Sequence, residues 1–232
     1  MITAAKFEAA LGYWQLFLEG ALCTVLLSAL AVLFGFVIAL MLALMRMGKI
    51  PPLRWFATAY VEIFRATPMV VQVWIIYFLA QEFIPLPRFM LFGMIRFERF
   101  LPGVIALSLN SGAYLCEIIR SGIGSIPIGQ TEAARSLGLP SGKTMSLIVL
   151  PQAMKNILPA LANEFVTIIK ESAITYVIGV QDIMAAANAV KGATYSTLEG
   201  LIIAAVLYFC LCFPTSKVIA HFERKMSRGY KR

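Results

Sequence analysis

The sequence is poor in charge and in histidine, and both shortages narrow the classes of protein it can encode. Only 14% of its 232 residues are charged, whereas a soluble domain carries about a quarter. Its mean hydropathy is +0.82 and its apolar residues fall in long blocks, which predicts a single all-α bundle of membrane-spanning helices over residues 1–232. The one histidine, His221, lies in a basic C-terminal stretch. We therefore expect no His-based catalytic residues and no metal site.

Cysteine is also scarce, and its placement predicts no special chemistry. The four cysteines lie in apolar helical stretches and are expected to be buried free thiols: Cys23, Cys116, Cys210 and Cys212. The N-terminus has no basic segment before a short apolar stretch, so we expect no cleavable signal peptide. The net charge of +8 gathers beside the apolar blocks, which argues against nucleic-acid binding.

Five apolar segments are long enough to cross a bilayer, which requires about 20 helical residues. They are residues 18–45, 56–80, 101–119, 157–178 and 198–220. Thirteen basic residues fall on one side of these segments and five on the other. Because the cytoplasmic side is the richer in lysine and arginine, we predict an N-terminus outside and a C-terminus in the cytoplasm. Residues 221–232 form a basic cytoplasmic tail.

Two outer regions flank the predicted spans. Phe7, Leu11 and Trp14 recur at helical spacing, which predicts that residues 1–17 form a helix on the outer membrane surface. The outer loop at 81–100 mixes arginine, proline and phenylalanine. This composition suits either contact with an external partner or an interfacial loop that dips its aromatic rings among lipid headgroups.

The second segment carries ionisable residues within the membrane, which is costly and points to function. Glu62 and Arg65 lie one helical turn apart and can pair. Pro68, next to Thr67, removes a backbone hydrogen bond and favours a break in the helix, with Gln72 one turn beyond. Arg65 can clamp a carboxylate, or the Glu62–Arg65 pair can simply hold the kink.

Polar residues recur in the third and fourth segments. Asn110 to Tyr114 is a small polar patch, and Asn163-Glu164 precedes Lys170 on the fourth. Cationic, anionic and amide groups together suit an amino acid, which has one ammonium and one carboxylate. The alternatives are hydrogen bonding between helices for Asn110 and an ion pair near the outer interface for Lys170.

Residues 128–151 form a structured polar segment on the predicted cytoplasmic side. Strong helix formers around Glu132 predict a helix, Gly138 suits the left-handed position that ends it, and Ser141 can cap the next helix. Glu132 and Arg135 share a face and can pair. The segment either docks a soluble partner or is an interfacial helix between two spans.

The stretch from Gly138 to Thr144 looks like a phosphate-binding loop but lacks its spacing. That loop needs four residues between its glycines, and here there are three. Pro140 also interrupts the backbone. We therefore expect no nucleotide site in this chain.

The motif E-A-A-x3-G-x9-I-x-L-P from Glu132 to Pro151 resembles the EAA loop of ABC importer permeases. Three further motifs narrow the resemblance to permease subunits of polar amino acid ABC importers: Phe64 to Pro68, Asn110 to Tyr114, and Asn163-Glu164. The similarity extends from about Leu18 to Ile219. Ala66 stands where the family usually has glycine.

The resemblance implies the type I ABC importer permease fold, with five transmembrane helices and a cytoplasmic coupling helix, in the bacterial inner membrane. It implies a second permease subunit, identical or a sister chain, two ATPase subunits that hold ATP and Mg, and an external amino acid-binding protein. This chain would bind no cofactor. The implied substrate contacts are Arg65, Thr67, Gln72, Asn110, Tyr114, Asn163, Glu164 and Lys170. The implied contacts to the ATPase are Glu132, Ala133, Ala134 and Gly138.

The main alternative is a secondary amino acid transporter driven by an ion gradient. It predicts inverted repeats, which five spans do not show, and it leaves the cytoplasmic segment without a role. A membrane enzyme would need a set of catalytic residues, which the sequence does not show. An ion channel would need a selectivity ring and no separate ATPase.

Overall fold

The structure, a computed structural model that describes residues 3–227, is almost entirely helical. A two-residue hairpin, β1 (Met90–Leu91) with β2 (Ile95–Arg96), interrupts the helices. The α-helices are α1 (Ala4–Leu11), α2 (Trp14–Met47), α3 (Pro51–Ala66), α4 (Met69–Phe83), α5 (Phe97–Gly124), α6 (Ile128–Ser136), α7 (Ser141–Thr144), α8 (Leu150–Glu171), α9 (Ile183–Thr194) and α10 (Thr197–Ser227). A π-helical turn, Met145–Val149, joins α7 to α8, and a 3-10 helix, Ser172–Ile178, follows α8.

Four helical stretches in the described chain are long and apolar enough to cross a membrane. They are α2, α5, the continuous stretch Ser141–Ile178 and α10. The remaining candidate is the pair α3 and α4, which is bent by 112°. Four predicted spans are therefore confirmed as single helical stretches, and the predicted second span is two helices.

Contacts along α5 show that the bent pair carries the chain back across the bundle. Gly103 near the start of α5 packs by Leu27 of α2, and Glu117 near its end bonds Arg46 at the end of α2. The helices α2 and α5 therefore run in the same direction. The chain must return between them, so we count the pair as one crossing and the total as five.

Small residues allow α2 and α5 to pack closely along their length. A Cβ atom at Gly112 would lie 2.7 Å from Ile38, and one at Gly35 would lie 3.1 Å from the side chain of Ser111. Small residues at helix interfaces are typical of membrane bundles, in which van der Waals packing takes over from the hydrophobic effect. A small residue also allows α5 and α8 to pack closely, since Gly122 leaves room for the side chain of Ile157.

Several boundaries differ from those predicted. Residues 14–17 begin α2, so the separate N-terminal helix is α1 alone. The outer loop is shorter than predicted, because α5 begins at Phe97 and the hairpin fills much of what precedes it. The helix α9 had no counterpart among the predictions, since a short apolar helix between spans lacks a distinctive pattern. Part of the predicted basic tail continues α10, and residues 228–232 lie outside the described part.

Candidate functional site

The break between α3 and α4 lies against the middle of α5. Thr67 and Pro68 are both extended, with φ −107° and −64°, so the helical hydrogen bonds stop at this point. The Thr67 hydroxyl donates to the carbonyl of Ile63 at 2.8 Å. Proline explains the break, because it has no N–H to donate and its ring disfavours helical backbone in the residue before it. The predicted position of the break is confirmed.

Two amides satisfy the backbone groups that the break exposes. Gln72 Nε2 donates to Phe64 O at 2.8 Å, to Thr67 O at 3.1 Å and to Thr67 Oγ1 at 2.8 Å. Asn110 Nδ2 of α5 donates to Gln72 Oε1 at 2.9 Å. Because carbonyl groups at membrane depth need a partner from the protein, these amides stabilise the irregular backbone. The structure thus brings Thr67, Gln72 and Asn110 together.

Arg65 lies beside this network and faces an aromatic ring. Its guanidinium carbon is 5.5 Å from the centroid of the Tyr114 ring, a cation–π distance, and both side chains are exposed. Arg65 forms no ion pair with Glu62, so the predicted pair is wrong. The ring that Arg65 faces belongs to α5 and not to its own helix α3. Its hydrogen-bond donors remain open to an anion.

Glu164 of α8 lies next to Ser111 of α5. It is 9% exposed on α8 and faces the hydroxyl of Ser111, which is fully buried. An α-helix turns by about 100° per residue, which places Tyr114 between Asn110 and Ser111 around α5. Arg65 therefore contacts α5 at Tyr114, and Glu164 contacts it at Ser111, about 60° away around the same helix.

Asn163 and Lys170 are not part of this group. Both are exposed and share a face of α8 that lies about 100° from that of Glu164. Glu171 is on the same face as Glu164, one residue past Lys170. Of the eight predicted contacts, six converge on the break and on α5, and these two do not.

An ion cluster that the sequence analysis did not single out joins α2 to α5. Arg46 Nη1 lies 2.8 Å from Glu117 Oε2, and Arg120 binds the same carboxylate from one turn along α5. Both side chains of the Arg46–Glu117 pair are largely buried. Glu117 and Arg120 lie three residues apart on α5, a helical spacing from which this half of the cluster could have been anticipated.

The predicted coupling segment, residues 128–151, consists of a helix, a sharp turn and a second helix. Gly138 has φ +85°, and Leu139 N donates to Ala134 O at 3.1 Å, so the helix α6 ends in the left-handed cap that was predicted. Arg135 Nη1 donates to Leu139 O and does not pair with Glu132, which corrects the predicted pair. Ser141 is the first residue of α7 and not its N-cap, so the predicted capping role is wrong. The N-cap position is held by Pro140.

The surface of the coupling segment is uneven. Glu132 and Ala133 are exposed, whereas Ala134 is only 5% exposed and packs inside the segment. Leu137 and Ile128 are the prominent exposed apolar side chains, 83% and 71% exposed. The π-helical turn after α7 covers the Met-Ser-Leu-Ile-Val stretch that precedes Pro151. Such turns are uncommon and are frequent at functional sites.

Comparison with known families identifies the class of protein. The family of binding-protein-dependent transport system inner membrane components matches residues 31–228. The chain belongs to this family, and it is a multi-pass permease subunit of an ATP-driven import system whose hydrolysis is done by partner ATPase chains. The resemblance drawn from the EAA motif is confirmed.

Particular relatives span nearly the whole chain. The arginine transport system permease protein ArtQ of Bacillus subtilis (strain 168) is 41% identical over 220 residues, covering 95% of this chain and 96% of the relative. A putative glutamine transport system permease protein GlnP of Rickettsia conorii (strain ATCC VR-613 / Malish 7) is 43% identical over 208 residues, covering 90% and 91%. A crystal structure of an amino acid ABC transporter with histidines is similar with a TM-score of 0.87 and 41% identity, covering 97% of this chain and all of the other. The type I ABC importer permease fold is therefore confirmed.

Proposed function

We propose that this chain is the translocating subunit of an amino acid importer, with the substrate held around the break between α3 and α4. The single observation that supports this proposal is that Arg65 and Glu164 face neighbouring positions of α5, Tyr114 and Ser111. Such an arrangement offers a cation for a carboxylate and an anion for an ammonium group. The relatives named for arginine and glutamine transport support an amino acid as cargo.

The eight substrate contacts take different parts in this proposal. Arg65 binds the carboxylate beside Tyr114, and Glu164 binds a positive group. Thr67, Gln72 and Asn110 shape the break, since their hydrogen-bonding groups are already engaged with the backbone or with one another. Asn163 and Lys170 lie on a different face of α8 from Glu164. They would therefore contact the substrate only as it moves along the translocation pathway.

The orientation and the assembly follow from the same proposal. The N-terminus lies outside and the segment 128–151 in the cytoplasm, where Glu132, Ala133, Ala134 and Gly138 serve the contact to the ATPase. Two ATPase subunits bind ATP and Mg, a second permease subunit completes the pathway, and an external binding protein delivers the amino acid. ATP binding moves α6, and α8 transmits the movement to Glu164 through the π-helical turn. The bundle then alternates between outward and inward access.

The test is to purify the full chain with its co-purifying subunits, reconstitute it in lipid vesicles and measure amino acid uptake. The proposal predicts uptake that requires ATP and that persists when proton and sodium gradients are collapsed. Uptake that needs a gradient and no ATP would establish the secondary transporter instead. The absence of any ATP-dependent amino acid uptake, in the presence of a competent binding protein, would contradict the cargo assignment.

A further inference from the structure

Two adjoining cavities lie along the first part of α2, against the hairpin of β1 and β2. Met94 and Ile95 line both of them, so one continues into the other. The first has a volume of about 110 Å³ and lies between α2 and the start of α9. We call it the polar chamber, because its lining includes Glu19, Gln181 and Asp182. The second, the apolar groove, has a volume of about 500 Å³, and its remaining lining residues are Leu22, Val25, Leu26, Ala29 and Phe92.

The lining residues of α2 form one continuous face of that helix. Because an α-helix turns by about 100° per residue, Glu19, Leu22 and Ala29 fall within an arc of about 80°. Leu22 and Ala29 are exposed at the surface of the bundle. Along this face a carboxylate is therefore followed by apolar surface. A molecule with a polar head and a hydrocarbon tail has the same order of groups.

The position of this face along α2 matches one leaflet of a bilayer. Arg46, near the other end of α2, lies about 40 Å from Glu19 along a helix that rises 1.5 Å per residue. A bilayer with its headgroups is about 40–45 Å thick, so the two charged side chains fit at opposite headgroup layers. Ala29 lies about 15 Å from Glu19, which is half of the hydrocarbon thickness of about 30 Å. The apolar groove thus has the length of one leaflet.

The polar chamber has a negative charge that no cation of the described chain balances. Glu19 is half-buried and forms no ion pair within residues 3–227. Asp182 is fully buried, but its carboxyl group already accepts from the Ala185 N–H group at 2.8 Å and from the Tyr208 hydroxyl at 3.4 Å. The described residues that line the chamber include no lysine or arginine. A cation that donates hydrogen bonds would therefore be stabilised next to Glu19.

We propose that the polar chamber and the apolar groove bind one phospholipid with a primary ammonium headgroup, such as phosphatidylethanolamine. The ammonium group donates to the carboxylate of Glu19, and the exposed amide of Gln181 is available to the phosphate. One acyl chain lies in the apolar groove, between α2 and the exposed ring of Phe92. A headgroup with a net negative charge would instead bring like charges together at Glu19. This site is separate from the proposed substrate cleft, which α3, α4, α5 and α8 form.

The experiment compares phosphatidylethanolamine with phosphatidylcholine that carries the same acyl chains. The full chain, purified in detergent with its co-purifying subunits, is titrated with each lipid, and native mass spectrometry gives the number bound and the affinity. Glu19→Gln removes the charge of the polar chamber, and its matched control is Glu8→Gln at the exposed glutamate of α1. Val25→Trp fills the apolar groove. Its control is Val37→Trp, at another exposed valine of α2 that does not line the groove.

The unmodified protein should bind phosphatidylethanolamine at least about tenfold more tightly than phosphatidylcholine, whose quaternary ammonium has no N–H group to donate. Glu19→Gln should bring the ratio of the two affinities close to one, and Glu8→Gln should leave it unchanged. Val25→Trp should weaken the binding of both lipids severalfold, because the indole occupies the space of the acyl chain. Val37→Trp should have no such effect.

A ratio near one in the unmodified protein would show non-selective contact with lipid and would overturn the proposal. Tighter binding of phosphatidylglycerol, which is anionic, would overturn it as well, and binding of neither lipid would show that another chain covers the groove. A preference for phosphatidylethanolamine that survives both Glu19→Gln and Val25→Trp would place the lipid elsewhere. Because these two variants change separate parts of the site, either one decides the location if the other does not fold.

Discussion

The side-chain amide of Gln72 holds the break between α3 and α4 by donating to the carbonyl of Phe64 at 2.8 Å. This contact crosses from one helix to the other, and the same nitrogen also reaches Thr67. Asn110 orients Gln72 from α5, so the bend is fixed by a neighbouring helix as well as by Pro68. The polar groups of this region thus stabilise the fold at the break.

Replacing Gln72 by methionine, which is similar in size, should destabilise the protein. The carbonyl oxygen of Phe64 would keep only the long contact from Asn110 Nδ2 at 3.4 Å, and Asn110 would lose Gln72 as its acceptor, at a cost of about 1–3 kcal/mol for each buried group left unsatisfied. Thermal unfolding of the purified protein in detergent measures the loss. The control is Gln81→Met at the end of α4, where the exposed side chain donates to Glu98 O and solvent can replace the bond. Equal melting temperatures for the two variants would contradict the role of Gln72.

Gly138→Ala should weaken the end of α6 through backbone strain alone. Its φ is +85°, and a Cβ atom there would meet no atom within 4 Å, so no steric clash contributes. The left-handed conformation costs an L-residue about 1–2 kcal/mol. Gly129→Ala, inside the same helix and equally open, should be neutral or stabilising, since alanine favours helix. Protease sensitivity of the segment reports both effects, and equal behaviour of the two variants would argue against a strained cap.

Asp182 should make stability depend on pH between about 4 and 7. It lies between the spans, caps α9 by accepting from Ala185 N at 2.8 Å, and has Tyr208 and Cys23 as titratable neighbours. Burial raises the pKa of its carboxyl from 3.8 to about 7. In this window the folded protein keeps a proton that the unfolded chain has released. Stability contributed by this group therefore falls as pH rises through the window.

Asp182→Asn retains an oxygen for the Ala185 N–H group and cannot titrate. The difference in melting temperature between the variant and the unmodified protein should change in favour of the variant as pH rises from 4 to 7. The same measurement over a range above pH 8 should show a constant difference. A difference that stays constant across the lower range as well would show that Asp182 is ionised in the folded state throughout.

The sequence was sufficient to predict the helical spans, the break and the cap, because each depends on local chemistry. Hydrophobic length defines a span, Pro68 interrupts a helix, and Gly138 suits a left-handed turn wherever these residues occur. The 112° angle at the break could not be predicted, because it depends on Gln72 and Asn110 meeting across different helices.

Side-chain partners were the least predictable feature. Arg65 and Arg135 each have an acid three residues away, and in both cases the structure gives the arginine another partner: the Tyr114 ring and the Leu139 carbonyl. Pairs at helical spacing are worth only about 0.2–0.5 kcal/mol, so a tertiary contact readily replaces them.

The most direct test of the central claim, that a separate ATPase drives this permease through α6, is the ratio of amino acid uptake to ATP hydrolysis in reconstituted vesicles. Glu132 is exposed on α6, and reversing its charge in Glu132→Lys should disrupt the contact to the ATPase. Gln130→Lys places a lysine on the opposite side of the same helix and serves as the control. We predict that uptake per ATP falls at least about tenfold in Glu132→Lys and is kept in Gln130→Lys. An unchanged ratio in Glu132→Lys, with the variant fully inserted, would contradict the account.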